Sequence, residues 1–348
     1  MNDIVEAING FNFNKSEGLT FIKNKVIKMC MNGICNILFI LFNQILKFRK
    51  IPNKLKVSKV TPILKNSKNK MLFNSYRCVS VQPNIFRLFE KIILNKLSPF
   101  IDIKQIIPKS QYLYRKGIGI YHQNIDIQKV LFNGLNDKNV IAIDIVFLDL
   151  SNAFDTVPHD RLMYKLNRYG IEGLMYEIIK DNFDGITQIV VYNDISSEEI
   201  KVKSGVRQGG HLSPELFNIY TSDYPKIVKS KNFMLADDIG LVNLIYGIDD
   251  CATLQFDLDN TVKYCKLNSL KLNSDKCEHL RITLKKCDLP SYKIENANIS
   301  IVNKHKHIGV IYYSKLNFNF HVDMIVQKAL KKFYILRFLC KRLMDRHS

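Results

Sequence analysis

Residues 140–150 read VIAIDIVFLDL. Apart from Asp144 and Asp149 the run is apolar, and Val and Ile dominate it. Such a stretch is expected as a β-strand buried on both faces. Side chains alternate along a strand, so Asp144 and Asp149, five apart, point to opposite faces. Asp149 closes the run. An acid at the end of an apolar strand is costly unless it is paired or metal-bound. Asp144 is expected outside any site built around Asp149.

Working outward, Pro158 opens a helix over HDRLMYKLNRY, with Leu162 and Leu166 four apart and Gly170 as the stop. Residues 187–192 (TQIVVY) and 200–202 read as strands. Ser213-Pro214 starts another helix, with Ser213 as N-cap and Pro214 at the first helical position. Leu216, Phe217, Ile219 and Tyr220 supply its apolar residues. Residues 233–242, FMLADDIGLV, put Asp237 and Asp238 between two apolar arms. That pattern predicts a tight hairpin with acids at the turn.

The flanks are simpler. The first fifty or so residues read as helix. Residues 47–70 are basic and broken by Pro52 and Pro62, as in a loop or strand pair. Residues 75–97 read as helix, with Leu88, Phe89, Ile92, Ile93 and Leu97 on one stripe. His307–Tyr313 is strand-like, and the tail from Val322 is helical and basic. Between Lys28 and Lys47 lies an uncharged run, MCMNGICNILFILFNQIL. It is near the shortest length that spans a bilayer. Its Asn, Gln and Gly residues, and the helical spacing of Ile37, Leu38, Leu41, Ile45 and Phe48, suit a helix packed into a core.

The chain has 348 residues, of which 47% are hydrophobic and 24% charged. This excludes a disordered tail, a collagen and a coiled-coil rod. Lys and Arg total 51 against 32 Asp and Glu, a formal net charge of +19. A compact body so charged repels itself, and the commonest neutralising partner is nucleic acid. The eight cysteines form no C-x-x-C pair and no zinc spacing. His305 and His307, near Cys287, read as solvated. The first residues, MNDIVEAING, are not expected to act as a signal peptide. An intracellular, non-secreted protein with reduced thiols is expected, in cytoplasm or nucleus and with no membrane partner.

Two strand ends side by side would bring Asp149, Asp237 and Asp238 together. Three carboxylates at one point repel, and a divalent cation removes the repulsion; Mg²⁺ prefers such oxygen ligands. Two ions ~3.5–4 Å apart suit an in-line phosphoryl displacement. Taken alone, Asp-Asp is ordinary turn chemistry, and Asp155 is a candidate cap for the helix after it.

FLDLSNAFDTVPHDRL (147–162), GVRQGGHLSPELFNIY (205–220) and LADD (235–238), in that order, resemble the blocks of a reverse transcriptase, closest to the jockey-like type of non-LTR retrotransposons. Upstream, FNFNKSEGLTFI, VTPILK and NSYRCVSVQPNIFRLFEKIILNKL resemble the family's N-terminal and fingers blocks. Downstream, LNSLKLNSDKCEHLRI and HKHIGVIYYSKLNFNFHV resemble the blocks that follow its active site.

The resemblance implies an α+β right-hand polymerase, with a mixed-sheet palm, helical and looped fingers and a partial helical thumb. Residues 1–135 would form N-terminal helices and fingers, 136–300 the palm, and 301–348 a primer-grip-like strand and partial thumb. It implies RNA-directed DNA synthesis on an RNA template and DNA primer from deoxynucleoside triphosphates. Two Mg²⁺ ions, with Mn²⁺ as a substitute, would be held by Asp149, Asp237, Asp238 and the backbone of Leu150. Phe154 would be the gate against a ribose 2′-hydroxyl, and it disfavours an RNA-synthesising enzyme. Gln208 and Gly209 would hold template and nucleotide, with Gly209 and Gly210 letting backbone approach a base pair. Arg77, with Lys65 or Lys70, would meet the triphosphate. Lys276 would protonate pyrophosphate.

The chain departs from the family pattern at Leu235, where Tyr or Phe is usual, and at Cys78 and His211, where Pro is frequent. Asn152 replaces a common Lys. No metal ligand is lost. The alternative expectation is an inactive retroelement remnant that only binds nucleic acid. Target nicking is expected to be supplied elsewhere.

Overall fold

The computed structural model describes residues 1–11, 18–19, 22–65, 69–283, 285 and 288–344. Most of the block at 11–22, and Cys287, lie outside them. In chain order the principal elements begin with α1 (Asn2–Asn9), α2 (Met31–Phe48), β1 (Val57–Leu64), β2 (Tyr76–Val81), α3 (Asn84–Ile103), α4 (Ile120–Asn136) and β3 (Ala142–Ser151). Then come α5 (His159–Arg168), α6 (Gly173–Phe183), β4 (Thr187–Tyr192), α7 (Ser213–Tyr220), β5 (Lys231–Leu235) and β6 (Asp238–Ile245). The last are α8 (Ile248–Leu267), β7 (Glu278–Thr283), β8 (Ser300–Ile301), β9 (Lys304–His307), β10 (Val310–Tyr313) and α9 (Asn319–Met344). The chain divides into two compact units.

The first unit comprises Met1–Tyr114, Leu150–Lys226 and Lys263–Lys271. Its sheet pairs β1 antiparallel with β2 and parallel with β4. Residues 76–83 are therefore not helical. Tyr76–Val81 pairs along Lys59–Leu64, and the helix begins only at Asn84. Long-range pairing overrides the local apolar spacing here. A buried ion pair, Lys56 Nζ to Asp181 at 2.8 Å, ties the approach to β1 to α6.

α2 is the one helix among the described residues long and apolar enough to cross a membrane, by length and composition. It buries Cys35, Leu38, Phe42 and Ile45, and Phe42 packs on Phe89 of α3 at 5.2 Å. Ile37 and Phe48 are exposed. The buried stripe is thus rotated from the one the spacing predicts. α7 is buried throughout its apolar residues, as expected. Its start is one residue earlier: Leu212 is the N-cap, Ser213 is the first helical residue, and no side chain caps the end.

The second unit comprises Arg115–Asp149, Ile227–Val262 and Leu272–Ser348. Its sheet is ordered β8-β7-β3-β6-β5, with β3 central, and the described part of the unit ends in α9. The pairs β7·β3, β3·β6 and β6·β5 are antiparallel, and β7·β8 is parallel, so the sheet is mixed. Seven successive residues of β3, Ala142–Leu148, are buried, which is the two-faced burial its composition predicts.

The expected strand at His307–Tyr313 is a hairpin instead. β9 and β10 pair antiparallel around Ile308-Gly309, both at positive φ. His305 and His307 are also not solvated. The His305 ring stacks on Phe147 of β3 at 3.6 Å, and His307, buried, lies 5.0 Å from the same ring. His305 Nδ1 further pairs with Glu278 at 2.5 Å. The hairpin lays its two histidines on the sheet face that carries Phe147, which removes them from water.

Candidate active site

Register builds the site. Residues directly opposite on an antiparallel pair share a face, with Cβ atoms about 4.5–5.5 Å apart. Asp149 lies opposite Asp238, the first residue of β6. Asp237 precedes it in the two-residue turn after β5. Ala236 adopts φ +56°, which lets the chain reverse that tightly. All three acids belong to the second unit.

The acids crowd one another. The Asp238 carboxyl is pushed up to about 6, first by burial of the group and then by the charges of Asp237 and Asp149. Lys276 opposes this shift. Its Nζ lies 3.1 Å from Asp149 Oδ2. The Asn273 N–H donates to the Asp149 carbonyl at 2.8 Å, which seats the turn carrying Lys276 beside the strand end.

The donors are all carboxylate oxygens, the chemistry Mg²⁺ prefers. They fit such an ion in type, and Asp149 and Asp238 share a face. They do not form a closed cage: among the described residues no three His, Cys, Asp or Glu side chains converge as a metal site requires. The Lys276 ammonium is the cation that meets Asp149.

Asp144 is absent from this group, as its position in the strand predicts. It is fully buried and held by Arg281 Nε at 2.8 Å and Nη2 at 2.7 Å, with Tyr292 donating at 2.5 Å. Burial alone would raise its carboxyl, but hydrogen bonds from Arg281, His279 and Tyr292 overcome that and hold it at about 2.

The other expected residues lie in the first unit. Leu150, the residue after Asp149, has a buried side chain. Phe154 is half-buried and stacks on Phe217 of α7, with centroids 4.5 Å apart and planes 14° apart. Asp155 does not cap α5, whose N-cap is Pro158. Its carboxylate instead accepts from Gln208 Nε2 at 3.2 and 3.3 Å. Gly209 sits at φ +124°, and a Cβ there would lie 2.5 Å from the Ser80 carbonyl. At Gly210 a Cβ would meet the side chains of Ser213, Gln82 and Glu90. Arg77 is exposed on β2, opposite Ile63, and the Lys65 N–H donates to the Ser75 carbonyl beside it. Lys70 is exposed in the turn between the two strands.

With this geometry in place, comparison with known proteins is decisive. Reverse transcriptase (RNA-dependent DNA polymerase) is the family that matches, over residues 63–312.

The chain belongs to the reverse transcriptase family.

It is 26% identical to the probable RNA-directed DNA polymerase from transposon BS of Drosophila melanogaster, over 98% of this chain and 38% of that protein. It is 25% identical to the RNA-directed DNA polymerase from mobile element jockey of Drosophila funebris, over 93% of this chain and 36% of that protein. The chain therefore spans little more than a third of the curated relatives it matches. Apo telomerase from Candida tropicalis, truncated from its C-terminal domain, shares the fold with a TM-score of 0.50 at 14% identity, over 87% of this chain and 62% of that one. This is the expected α+β right-hand polymerase fold.

Two residues around the reverse transcriptase GVRQGG block escaped sequence reading. Glu90 is buried in α3, and Arg207 points inward to Asn182. Charged residues inside apolar runs, in RLFEKII and GVRQGG, were the available signal. Nothing in the sequence indicated that they serve the same loop.

Proposed function

We propose that this chain is the RNA-directed DNA polymerase module of a mobile element, extending a primer 3′-hydroxyl on an RNA template. The observation that carries the proposal is the register pairing Asp149 with Asp238, with Asp237 in the adjoining turn, in a chain of this family. Asp149, Asp237 and Asp238 would hold the divalent ions, with the backbone of Leu150 beside them. Two magnesium ions bound there would neutralise the crowded carboxylates and supply Lewis acidity to the 3′-hydroxyl and the leaving pyrophosphate.

The chain's own groups do the rest. Asp149 and Asp238 present their oxygens from one sheet face without rearranging the backbone. Lys276, beside Asp149, would give a proton to departing pyrophosphate. Arg77 and Lys65 meet the triphosphate, with bidentate donation from the guanidinium. Gln208 and Gly209 contact template and nucleotide, and the Phe154 ring occupies the space a ribose 2′-hydroxyl needs. The +19 surplus binds template and primer, and that binding weakens steeply with salt because counterions are released.

Primer extension tests this, using an RNA template, a DNA primer, Mg²⁺ and deoxynucleotides, with Asp237→Asn alongside. Extension by the parent alone supports the proposal. Salt-sensitive RNA binding by folded parent protein without any extension replaces it with the reading of a binding-only remnant.

A further inference from the structure

The loop Gly205–His211 is secured from several directions, and Glu90 and Arg207 among its partners have been given no role. At its base the Gly205 N–H donates to the Val157 carbonyl at 2.8 Å, and the Val206 N–H to the Phe154 carbonyl at 2.7 Å. At its tip the Ser80 N–H of β2 donates to the Gln208 carbonyl at 2.9 Å. Between these, Arg207 turns into the protein. Its Nη1 donates to Asn182 Oδ1 at 2.8 Å, and its Nη2 to the carbonyls of Asn182 and Lys56 at 3.3 and 3.4 Å. Its guanidinium also lies over the Phe86 ring.

Glu90 closes the far end. Its Oε2 accepts the His211 N–H at 2.9 Å, and its Oε1 accepts Gln82 Nε2 at 3.0 Å. A Cβ on Gly210 would sit 3.2 Å from Glu90 Oε2 and 2.8 Å from Ser213 Oγ, so the loop passes as close as glycine allows. Burial raises the Glu90 carboxyl, and the Arg207 charge works against that rise.

We propose that Glu90 and Arg207 are positioning residues, a buried frame that sets where Gln208 and Gly209 stand for the template and incoming nucleotide. A buried charge is poor evidence of stabilisation, since apolar replacements often do as well. Glu90, however, receives donors that only a carboxylate satisfies together. An amide offers one acceptor oxygen where two donors arrive on two oxygens. The same loop is bonded to β2 three residues from Arg77, so a shift at Glu90 reaches both groups proposed to meet the nucleotide. The inference rests on the polymerase reading.

The test uses the full chain with Glu90→Gln, and with Arg207→Lys, which keeps the charge but loses the fork to Asn182. Amide hydrogen exchange is read first and needs no activity. Exchange across residues 205–211 is expected to quicken about tenfold, the effect of one lost buried hydrogen bond, while β3 stays protected. Unchanged protection of the loop in both variants overturns the proposal.

Steady-state extension follows. The KM for deoxynucleotides is expected to rise about tenfold, with kcat within about threefold of the parent. Affinity for the RNA–DNA duplex should stay within about twofold. A fall in melting temperature with KM unchanged shows a purely structural role and overturns the proposal. If Glu90→Gln does not fold, Arg207→Lys decides alone. A parent that makes no DNA overturns the polymerase reading, while the exchange result still decides the frame.

Discussion

Asp149, near the end of the central strand of its sheet, lies directly opposite Asp238, which begins the neighbouring strand. Two acids at one rung, with Asp237 in the adjoining turn, make a site whose charge is set first by burial and then by crowding. The Asp238 carboxyl should therefore titrate near pH 6 in metal-free protein. Its folded value lies above the usual carboxylate value, so its contribution favours the fold at low pH and is lost as pH rises through 6. Asp149→Asn should bring the titration down, and Lys276→Met should raise it by removing an opposing charge. Carboxyl-carbon NMR across pH 3–8 measures all three proteins. A titration unmoved by either change would show that the charges do not interact.

The Lys276–Asp149 contact is largely exposed on the lysine side. Such pairs contribute only about 0–1 kcal/mol. Lys276→Met should thus leave thermal stability almost unchanged while lowering kcat for primer extension about tenfold or more, as expected for a lost proton donor. Single-turnover extension beside a thermal melt separates the two effects.

Phe154 rests on Phe217 in a stacked pair. Phe154→Ala should cost about 1 kcal/mol from the pair in addition to lost apolar burial. It should also let ribonucleotides be incorporated, measured as the ratio of ribo- to deoxynucleotide kcat/KM. Sugar selectivity equal to the parent's would remove the gate assignment and leave Phe154 as packing.

Asp144 and His307 govern stability away from the site. Asp144→Asn leaves Arg281 without its buried partner and should cost about 3–5 kcal/mol in urea unfolding. His307 is buried, and burial, with His305 nearby, pushes it down to about 4. Its folded value is below the unfolded one, so its contribution is full above about pH 6.5 and is lost as pH falls towards 4. About 2 kcal/mol should disappear between pH 7 and 5. His307→Leu should flatten that part of the profile.

The sequence by itself determined the elements that local pattern can encode. A nearly continuous apolar run made β3 a buried strand, and two apolar arms around Asp237-Asp238 made a hairpin. Ordered blocks along the chain identified the family. Register did not follow from the apolar pattern: β3 is buried on both faces, so a one-residue slip would exchange two buried faces, and only the pairing in the folded sheet sets Asp149 opposite Asp238. What depended on distant partners was decided only in the tertiary structure. Residues 76–81 became strand because β1 lay alongside, and His305 and His307 left water because Phe147 offered a flat apolar face. Asp155 found Gln208 rather than a helix end. Glu90, Arg207 and Lys276 carry no periodicity that marks them. Each is defined by a donor or acceptor 25 to more than 120 residues away in the chain. No local pattern encodes contacts of that kind, because only the closed fold brings those groups within hydrogen-bonding distance.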